Sequence, residues 1–280
     1  MTIKDLLLYL DQSPESRARL EAAIELADQL DAHLTALCLI AEPYLRGGSV
    51  HHMPEAILRE HLAHAQAEAD TAIAAARELA DERGVELVVH CETGPLDRLP
   101  AMLAHHARHV DLTVVGQPNP ESSGVDEALL AETAFMDSGH PALVIPYAGT
   151  PTLPPQRVLI AWDGSREAAR ATTDALPLLG LAEDVDLLVV DERDVSSHVG
   201  ARPGTEVAAH LARHGVTAKL HEVKSAGRGV AETILAEAGA SGADLIVMGG
   251  YGHSRLRERV LGGPTRHMLE HMTIPVLFSH

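Results

Sequence analysis

Aromatic residues and cysteines are scarce in this chain. Its 280 residues include two Phe, four Tyr and one Trp, so the core has to be built from Leu, Val, Ile and Ala. That usage suits a parallel sheet covered by Ala- and Leu-rich helices. The two cysteines, Cys38 and Cys91, each lie in an apolar run and are predicted to be buried thiols, which excludes a disulfide framework and a zinc cluster.

Basic residues and long apolar runs are also lacking. Lys and Arg number 22 against 40 Asp and Glu, giving a formal charge of −18. A surface this acidic repels phosphate backbones, so no nucleic-acid partner is expected. The sequence has no run of 18 or more apolar residues and no recognisable signal peptide, so we expect a cytoplasmic protein without a membrane partner. A nucleotide can still bind where backbone amides or an Arg offset the negative electrostatic potential of this surface.

The hydrophobic pattern alternates strands and helices, and it does so twice. The first half predicts five strands, at 6–10, 34–40, 85–90, 112–115 and 142–146, with its longest helix at 55–83. The second half predicts strands at 158–162, 185–190, 218–223, 245–248 and 274–278. Such alternation predicts an α/β fold made of two repeated Rossmann-like open parallel five-stranded sheets. We place the domains at 1–147 and 156–280, joined by a Gly- and Pro-rich linker at 148–155.

The two halves align segment by segment. The sequence Leu8–Ser13 matches Ile160–Ser165, Val110–Gly116 matches Ala243–Gly249, and the last strands also correspond. Ligands of open α/β sheets bind beyond the carboxyl ends of the strands, where the strand order reverses. Functional residues are therefore expected in the loops that follow the first and fourth strands of each half.

A glycine-rich loop follows the fourth strand of the second half. Gly249 and Gly252 are separated from Gly262, Gly263 and Thr265 by nine residues. Glycines let backbone amides converge on an anion, and the second cluster opens a helix whose N-terminus favours phosphate. The pattern is neither a Walker loop nor the usual dinucleotide motif. A strand-to-helix turn without a ligand is the alternative.

Asp163 ends the first strand of the same half. Its carboxylate can accept hydrogen bonds from ribose hydroxyls, or it can cap the following helix, although Ser165 is the better cap. In the first half Asp11 matches Asp163, but Gly116 is the only loop glycine retained, and Asn119 stands between two prolines. Carboxylates before the last helix, including Glu132, would repel phosphate. We therefore predict that the first half does not bind ATP and serves as a scaffold.

The 18 histidines do not form a recognisable metal motif. Paired or spaced histidines occur at His51, His52, His61 and His64 and, with i, i+4 spacing, at His105 and His109. No cysteine accompanies them, so solvated helix faces are the expected reading and no metal site is predicted. Beyond Gly252, His253 and Ser254 do not make a hydrolase dyad. Arg255 either reaches a phosphate or forms a surface ion pair.

These residues resemble the universal stress protein family, specifically its tandem two-domain members with an adenine nucleotide alpha hydrolase-like fold. The most specific segments are Val158–Ser165 and Val247–Gly252 together with Gly262–Thr265; Gly263 stands where the family usually has Ser or Thr. The resemblance implies that Asp163 holds the nucleoside end and that the backbone of Val190 reads adenine. It implies a phosphate-binding loop formed by Gly249, Gly252, Gly262, Gly263 and Thr265, with Met248 directly before it as a further binding residue. It also implies pairing of the two domains through their last strands, within one chain or in a homodimer.

The function expected from this resemblance is a regulatory ATP-binding protein of the stress response. The ligand would be ATP with Mg, or AMP or ADP. Little or no hydrolysis and no catalytic residues are expected, because the sequence shows no convincing general base or metal-binding carboxylate beside the loop. A nucleotide-independent dimerisation or interaction module is the main alternative. An adenylyl-transferring enzyme would need a HIGH-like or PP motif, which Asp163-Gly164-Ser165 does not provide.

Overall fold

The computed structural model describes residues 2–42, 55–121, 127–191, 203–252 and 263–280. The first half contains the strands β1 (Asp5–Leu10), β2 (His33–Glu42), β3 (Leu87–Pro95), β4 (Leu112–Gly116) and β5 (Ala142–Ile145). Its helices are α1 (Ser16–Leu30), α2 (Glu55–Arg83), α3 (Leu99–Ala107), which follows a 3-10 turn at Leu96–Arg98, and α4 (Glu127–Met136).

The second half repeats this alternation. Its strands are β6 (Arg157–Ala161), β7 (Asp184–Val190), β8 (Ala218–Val223), β9 (Leu245–Gly249) and β10 (Val276–Ser279). Its helices are α5 (Arg166–Asp174), α6 (Leu176–Leu179), α7 (Pro203–Arg213), α8 (Val230–Ser241) and α9 (Pro264–His271). The single helix predicted over 166–179 is divided at Ala175, because Pro177 lacks the amide that would continue the helical bonds. The predicted third strand lies later, at Leu87–Pro95.

All of these strands lie in one sheet. Its order is β3-β2-β1-β4-β5-β10-β9-β6-β7-β8, so the strands of each half are contiguous. Pairing is parallel within each half, as predicted for an α/β repeat. The halves meet where β5 and β10 pair antiparallel, with Leu143 opposite Leu277. The two repeats therefore share a single ten-stranded sheet and do not form two separate sheets.

Helices cover both faces of the sheet, which explains the near-continuous apolar strands. One face packs against α1, α2, α5, α6 and α7. The other packs against α3, α4, α8 and α9, and it holds the aromatic stack of Phe135 on Phe278, with ring centroids 5.0 Å apart. None of the helices in the described ranges is long and apolar enough to cross a membrane.

The cysteines differ in exposure. Cys38 is buried, and burial together with the neighbouring Cys91 raises its thiol pKa to about 12. Cys91 is exposed, so the prediction of two buried thiols is wrong for this residue. The reason is its place on β3, which pairs with β2 alone at the edge of the sheet.

Candidate functional site

The strand order reverses between β6 and β9 in the second half. Strand β6 lies between β9 and β7, with Ala161 level with Met248 on one side and with Leu188 on the other. Pairing continues one residue further, since the Trp162 amide donates to the Leu188 carbonyl at 2.8 Å. Asp163 is thus brought between Val190 and the turn Gly249–Gly252. We call this edge, with Gly263 and Thr265 added, the switch-point site.

Asp163 lies exposed just beyond β6. One of its carboxylate oxygens accepts a hydrogen bond from the Ser165 amide at 2.9 Å, across a turn in which Gly164 has φ +77°. Ser165 is the N-cap of α5, since its hydroxyl accepts from the Ala168 amide at 3.1 Å, as predicted. Asp163 is therefore not the helix cap, and its exposed carboxylate faces the carboxyl edge of the sheet.

Gly249 and Gly250 allow close packing, and neither they nor Gly252 has a positive φ. A Cβ on Gly249 would lie 2.6 Å from the Ala168 amide nitrogen, so the start of α5 approaches the end of β9 as closely as a missing side chain allows. The left-handed residue of the turn is Tyr251, with φ +51°. Met248 is buried in the core, so its side chain belongs to packing and only its backbone borders the site.

The second cluster opens helix α9. Gly263 is the N-cap with φ −65°, and Pro264 occupies the first turn of the helix. Thr265 is buried, and its hydroxyl accepts a hydrogen bond from the Tyr251 amide at 2.9 Å. This bond fastens the turn to α9, a structural role that the sequence pattern did not reveal. Gly262, His253, Ser254 and Arg255 lie outside the described residues.

A buried carboxylate lies beside the turn. The Glu167 side chain is 3% exposed, and one oxygen contacts the Arg166 Nε at 2.5 Å. Its other oxygen would be 3.4 Å from a Cβ on Gly252. Sequence reasoning missed Glu167 at this place, because the close packing of α5 on Gly249 is what brings it under the turn. The available signal was its position in the helix that follows Asp163.

In the first half, the corresponding edge contains an ion pair whose arginine is buried and whose aspartate is partly exposed. Arg19 of α1 contacts the Asp11 carboxylate at 2.7 Å and donates from Nε to the Tyr9 carbonyl at 3.1 Å. A Cβ on Gly116 would lie 2.2 Å from an Arg19 guanidinium nitrogen. The guanidinium thus occupies the space between Asp11 and Gly116, the residues that match Asp163 and Gly249.

The amide that matches Gly252 is also occupied in the first half. The Asn119 backbone amide donates to the Glu127 carboxylate at 2.8 Å, and the Asn119 side chain donates to Glu15 at 2.9 Å. A carboxylate of the chain itself therefore lies where an anionic ligand would accept this bond. The sequence predicted carboxylates near this loop, but it did not identify Glu127 as the one that bonds the Asn119 amide. It also did not identify Arg19 as the residue that pairs with Asp11.

A family model matches both halves of the chain, over residues 2–134 and 155–280, and its description is "Universal stress protein family". The chain belongs to the universal stress protein family. The repetition detected in the sequence is thus a tandem of two universal stress protein repeats. A search of curated proteins gave no significant match.

Solved structures support the tandem fold. A universal stress protein from Archaeoglobus fulgidus DSM 4304 superposes with a TM-score of 0.75 at 17% identity, covering 99% of this chain and 96% of that one. A functionally unknown protein from Pseudomonas aeruginosa PAO1 gives 0.60 at 18% identity, with 99% and 92% covered. The cytoplasmic domain of a prokaryotic cation chloride cotransporter gives 0.52 at 12% identity, with 99% and 95% covered. At these identities the likeness concerns the fold alone.

Among the described histidines of this universal stress protein, His280 borders the switch-point site, with its Nδ1 3.0 Å from the Gly250 carbonyl oxygen. His105 and His109 make an edge-on contact at 5.7 Å between ring centroids, and His106 contacts Glu92 at 2.8 Å. Across the described ranges no three His, Cys, Asp or Glu side chains are grouped so that they could hold a metal ion. His51 and His52 lie outside those ranges.

Proposed function

We propose that the second universal stress protein repeat binds an adenine nucleotide, with ATP and Mg as the first candidate, and that the first repeat binds none. The observation that carries this proposal is the contrast between the two switch points. In the first repeat Arg19 and Glu127 occupy the positions beside Gly116 and Asn119. In the second, Ala171 takes the place of Arg19, and glycine takes the place of Asn119.

The backbone around Gly252 favours an anionic ligand. The turn Gly249–Gly252 lies between the N-termini of α5 and α9: a Cβ on Gly252 would lie 3.7 Å from Ser165, and the Tyr251 amide bonds Thr265. Helix N-termini carry partial positive charge and unpaired amides. Gly263, as the N-cap of α9, has no side chain to occupy those amides. The exposed carboxylate of Asp163 is then suited to the hydroxyls of a ribose.

We infer that nucleotide turnover is slow or absent, so that binding is regulatory. A general base has to reach the proton it abstracts from an attacking water. Asp163 and Glu167 already bond Ser165 and Arg166, and Glu132 accepts a hydrogen bond from the Tyr251 hydroxyl. Within the described residues, none of these three carboxylates is paired with a second group that would orient a nucleophile.

Trp162 provides a direct assay of this proposal. It is the only tryptophan of the chain, it precedes Asp163, and its indole nitrogen is buried without a partner among the described residues. We expect ATP with Mg to change Trp162 fluorescence saturably at micromolar to millimolar concentration. Gly252→Val should weaken binding about tenfold or more, because its side chain enters the space beside the turn amides.

The matched control is Gly239→Val. Gly239 lies in α8 with nothing within 4 Å of an added Cβ, and α8 leads back to the opposite edge of the sheet. This variant should bind ATP like the wild type. Wild-type protein that shows neither a fluorescence change nor calorimetric heat with ATP, ADP or AMP at millimolar concentration would refute nucleotide binding.

A nucleotide-independent interaction module is the second candidate, and the position of Glu167 favours it. A buried carboxylate beside Gly252 opposes an approaching phosphate. On this reading Gly252→Val leaves partner binding and cellular phenotype unchanged. Such an outcome, together with the absence of ATP binding, would select the module over the nucleotide sensor.

A further inference from the structure

Tyr251 is the most unusual residue of the switch-point site. It lies between Gly250 and Gly252, its φ of +51° is in the left-handed region, and it is 7% exposed. A bulky residue rarely adopts this conformation, because Cβ crowds the following carbonyl. Contacts of the side chain therefore have to hold the backbone in this shape.

Those contacts come from the other repeat. The Tyr251 hydroxyl donates a hydrogen bond to the Glu132 carboxylate of α4. Its ring stacks on Phe135, one helical turn further along α4, with centroids 6.3 Å apart and planes at 18°. Phe135 in turn stacks on Phe278 of β10. The central side chain of the second repeat's turn is thus fixed by the first repeat.

The backbone of the turn is pressed against the same helix. A Cβ on Gly250 would lie 2.5 Å from Cε2 of Phe135. On its other side the Tyr251 amide donates to the Thr265 hydroxyl at 2.9 Å, so the turn is held between α4 and α9. We call the group Glu132, Phe135, Tyr251 and Thr265 the Tyr251 clamp.

We propose that the first repeat acts as a positioning element for the nucleotide site of the second, through the Tyr251 clamp. This inference rests on the proposed nucleotide binding. Tyr251 sets the direction of the amides of the turn Gly249–Gly252, and Glu132 and Phe135 set the position of Tyr251. The repeat that fills its own switch point therefore determines the shape of the one that remains open. A change at α4 alters nucleotide affinity without touching the ligand.

The Glu132 contact can be removed without opening the core. Glu132 and Tyr251 both line a cavity of about 320 Å³ between the loop Pro118–Pro120, α4 and α9. Glu132 is only partly buried there, so its truncation exposes the tyrosine hydroxyl to water. Substitutions at this position are expected to leave the sheet and both apolar cores intact.

The experiment compares nucleotide affinity and local backbone exchange in four variants. Tyr251→Phe and Glu132→Ala remove the hydrogen bond, Glu132→Gln keeps an acceptor for the phenol, and Tyr147→Phe removes an exposed hydroxyl elsewhere. We expect the first two to weaken ATP binding about three- to tenfold, the range of one net hydrogen bond. Their double variant should be no weaker than either single one. Glu132→Gln and Tyr147→Phe should bind like the wild type.

Hydrogen exchange tests the clamp without a ligand. In the unliganded protein, Tyr251→Phe and Glu132→Ala should speed amide exchange in peptides covering 249–252 and the start of α9, while β1 and β6 stay protected. If the wild type binds nucleotide and both variants bind it with the same affinity, the coupling is overturned and the proposed function remains. Unchanged exchange would overturn the positioning role itself. A wild type that binds no nucleotide would overturn the proposed function and the coupling together.

Discussion

Glycine makes different close contacts at adjacent positions of the same turn. Gly249 lets α5 pack on the end of β9, and Gly250 lets the turn approach Phe135 of the other repeat. A Cβ on Gly252 would lie at ordinary van der Waals distance from Ser165 and Glu167. Gly252 is thus the least crowded of the three glycines.

The charge of Glu167 affects the binding of an anion beside Gly252. Its side chain is buried, and Arg166, whose side chain is 85% exposed, neutralises it incompletely across a solvated contact. Two like charges several ångströms apart repel appreciably at a protein surface. Mg²⁺ is commonly held by one or two carboxylates together with substrate phosphates, and the position of Glu167 beside Gly252 fits that pattern.

Magnesium dependence of binding should therefore follow the charge of Glu167. Glu167→Gln is expected to strengthen binding of Mg-free ATP about five- to tenfold, because it removes one negative charge near the phosphates. In Glu167→Gln, the difference in binding affinity between Mg-free ATP and Mg-loaded ATP should be smaller than in the wild type. Calorimetric titration in EDTA and in excess Mg measures both affinities.

The control for this prediction is Glu86→Gln, which makes the same charge change at an exposed position before β3. It should leave the two affinities as in the wild type. An identical response to Mg in the wild type and in Glu167→Gln would show that Glu167 does not face the phosphates.

Helices α1 and α5 are equivalent elements with opposite effects on their switch points. Each follows a strand with an Asp just beyond its end, yet α1 directs Arg19 back to Asp11 and Tyr9, whereas α5 has Ala171 at the matching position. The Arg19 side chain is 5% exposed and also lies 5.7 Å from the centre of the Tyr9 ring. Together with the change from Asn119 to Gly252, this difference separates the first repeat, whose switch point is filled by its own side chains, from the second.

Arg19 should accordingly be important for stability. Arg19→Ala leaves the Asp11 carboxylate without its buried partner and opens a space beside Gly116. We expect a loss of about 3 kcal/mol in the free energy of unfolding, measured by urea denaturation. Arg17→Ala, which breaks an exposed pair with Glu21 in the same helix, should cost about 0.5 kcal/mol or less. Equal losses in the two variants would contradict a structural role for Arg19.

At the scale of the whole molecule, much of the architecture was predictable, because apolar periodicity reports which residues face a core. The two-fold alternation and the helix at Glu55–Arg83 follow from that pattern. The merging of the repeats into one sheet by the antiparallel pairing of β5 with β10 was not derivable from local pattern.

The placement of the candidate residues was predictable, and their contacts were less so. Asp163 and the turn Gly249–Gly252 meet at the reversal of strand order, as open α/β sheets require. Tyr251 bonds Thr265, 14 residues away, and Glu132, 119 residues away, and Glu167 lies beside Gly252. Periodicity and motif spacing hold no information about such pairs.

We propose that one repeat binds a nucleotide and that the other is filled by its own side chains. The most direct test is the stoichiometry of ATP binding by calorimetry, in the wild type, Gly252→Val and Asn119→Ala. We predict about one nucleotide per chain, lost in Gly252→Val and retained in Asn119→Ala. Two nucleotides per chain, or binding that survives Gly252→Val and disappears in Asn119→Ala, would contradict it.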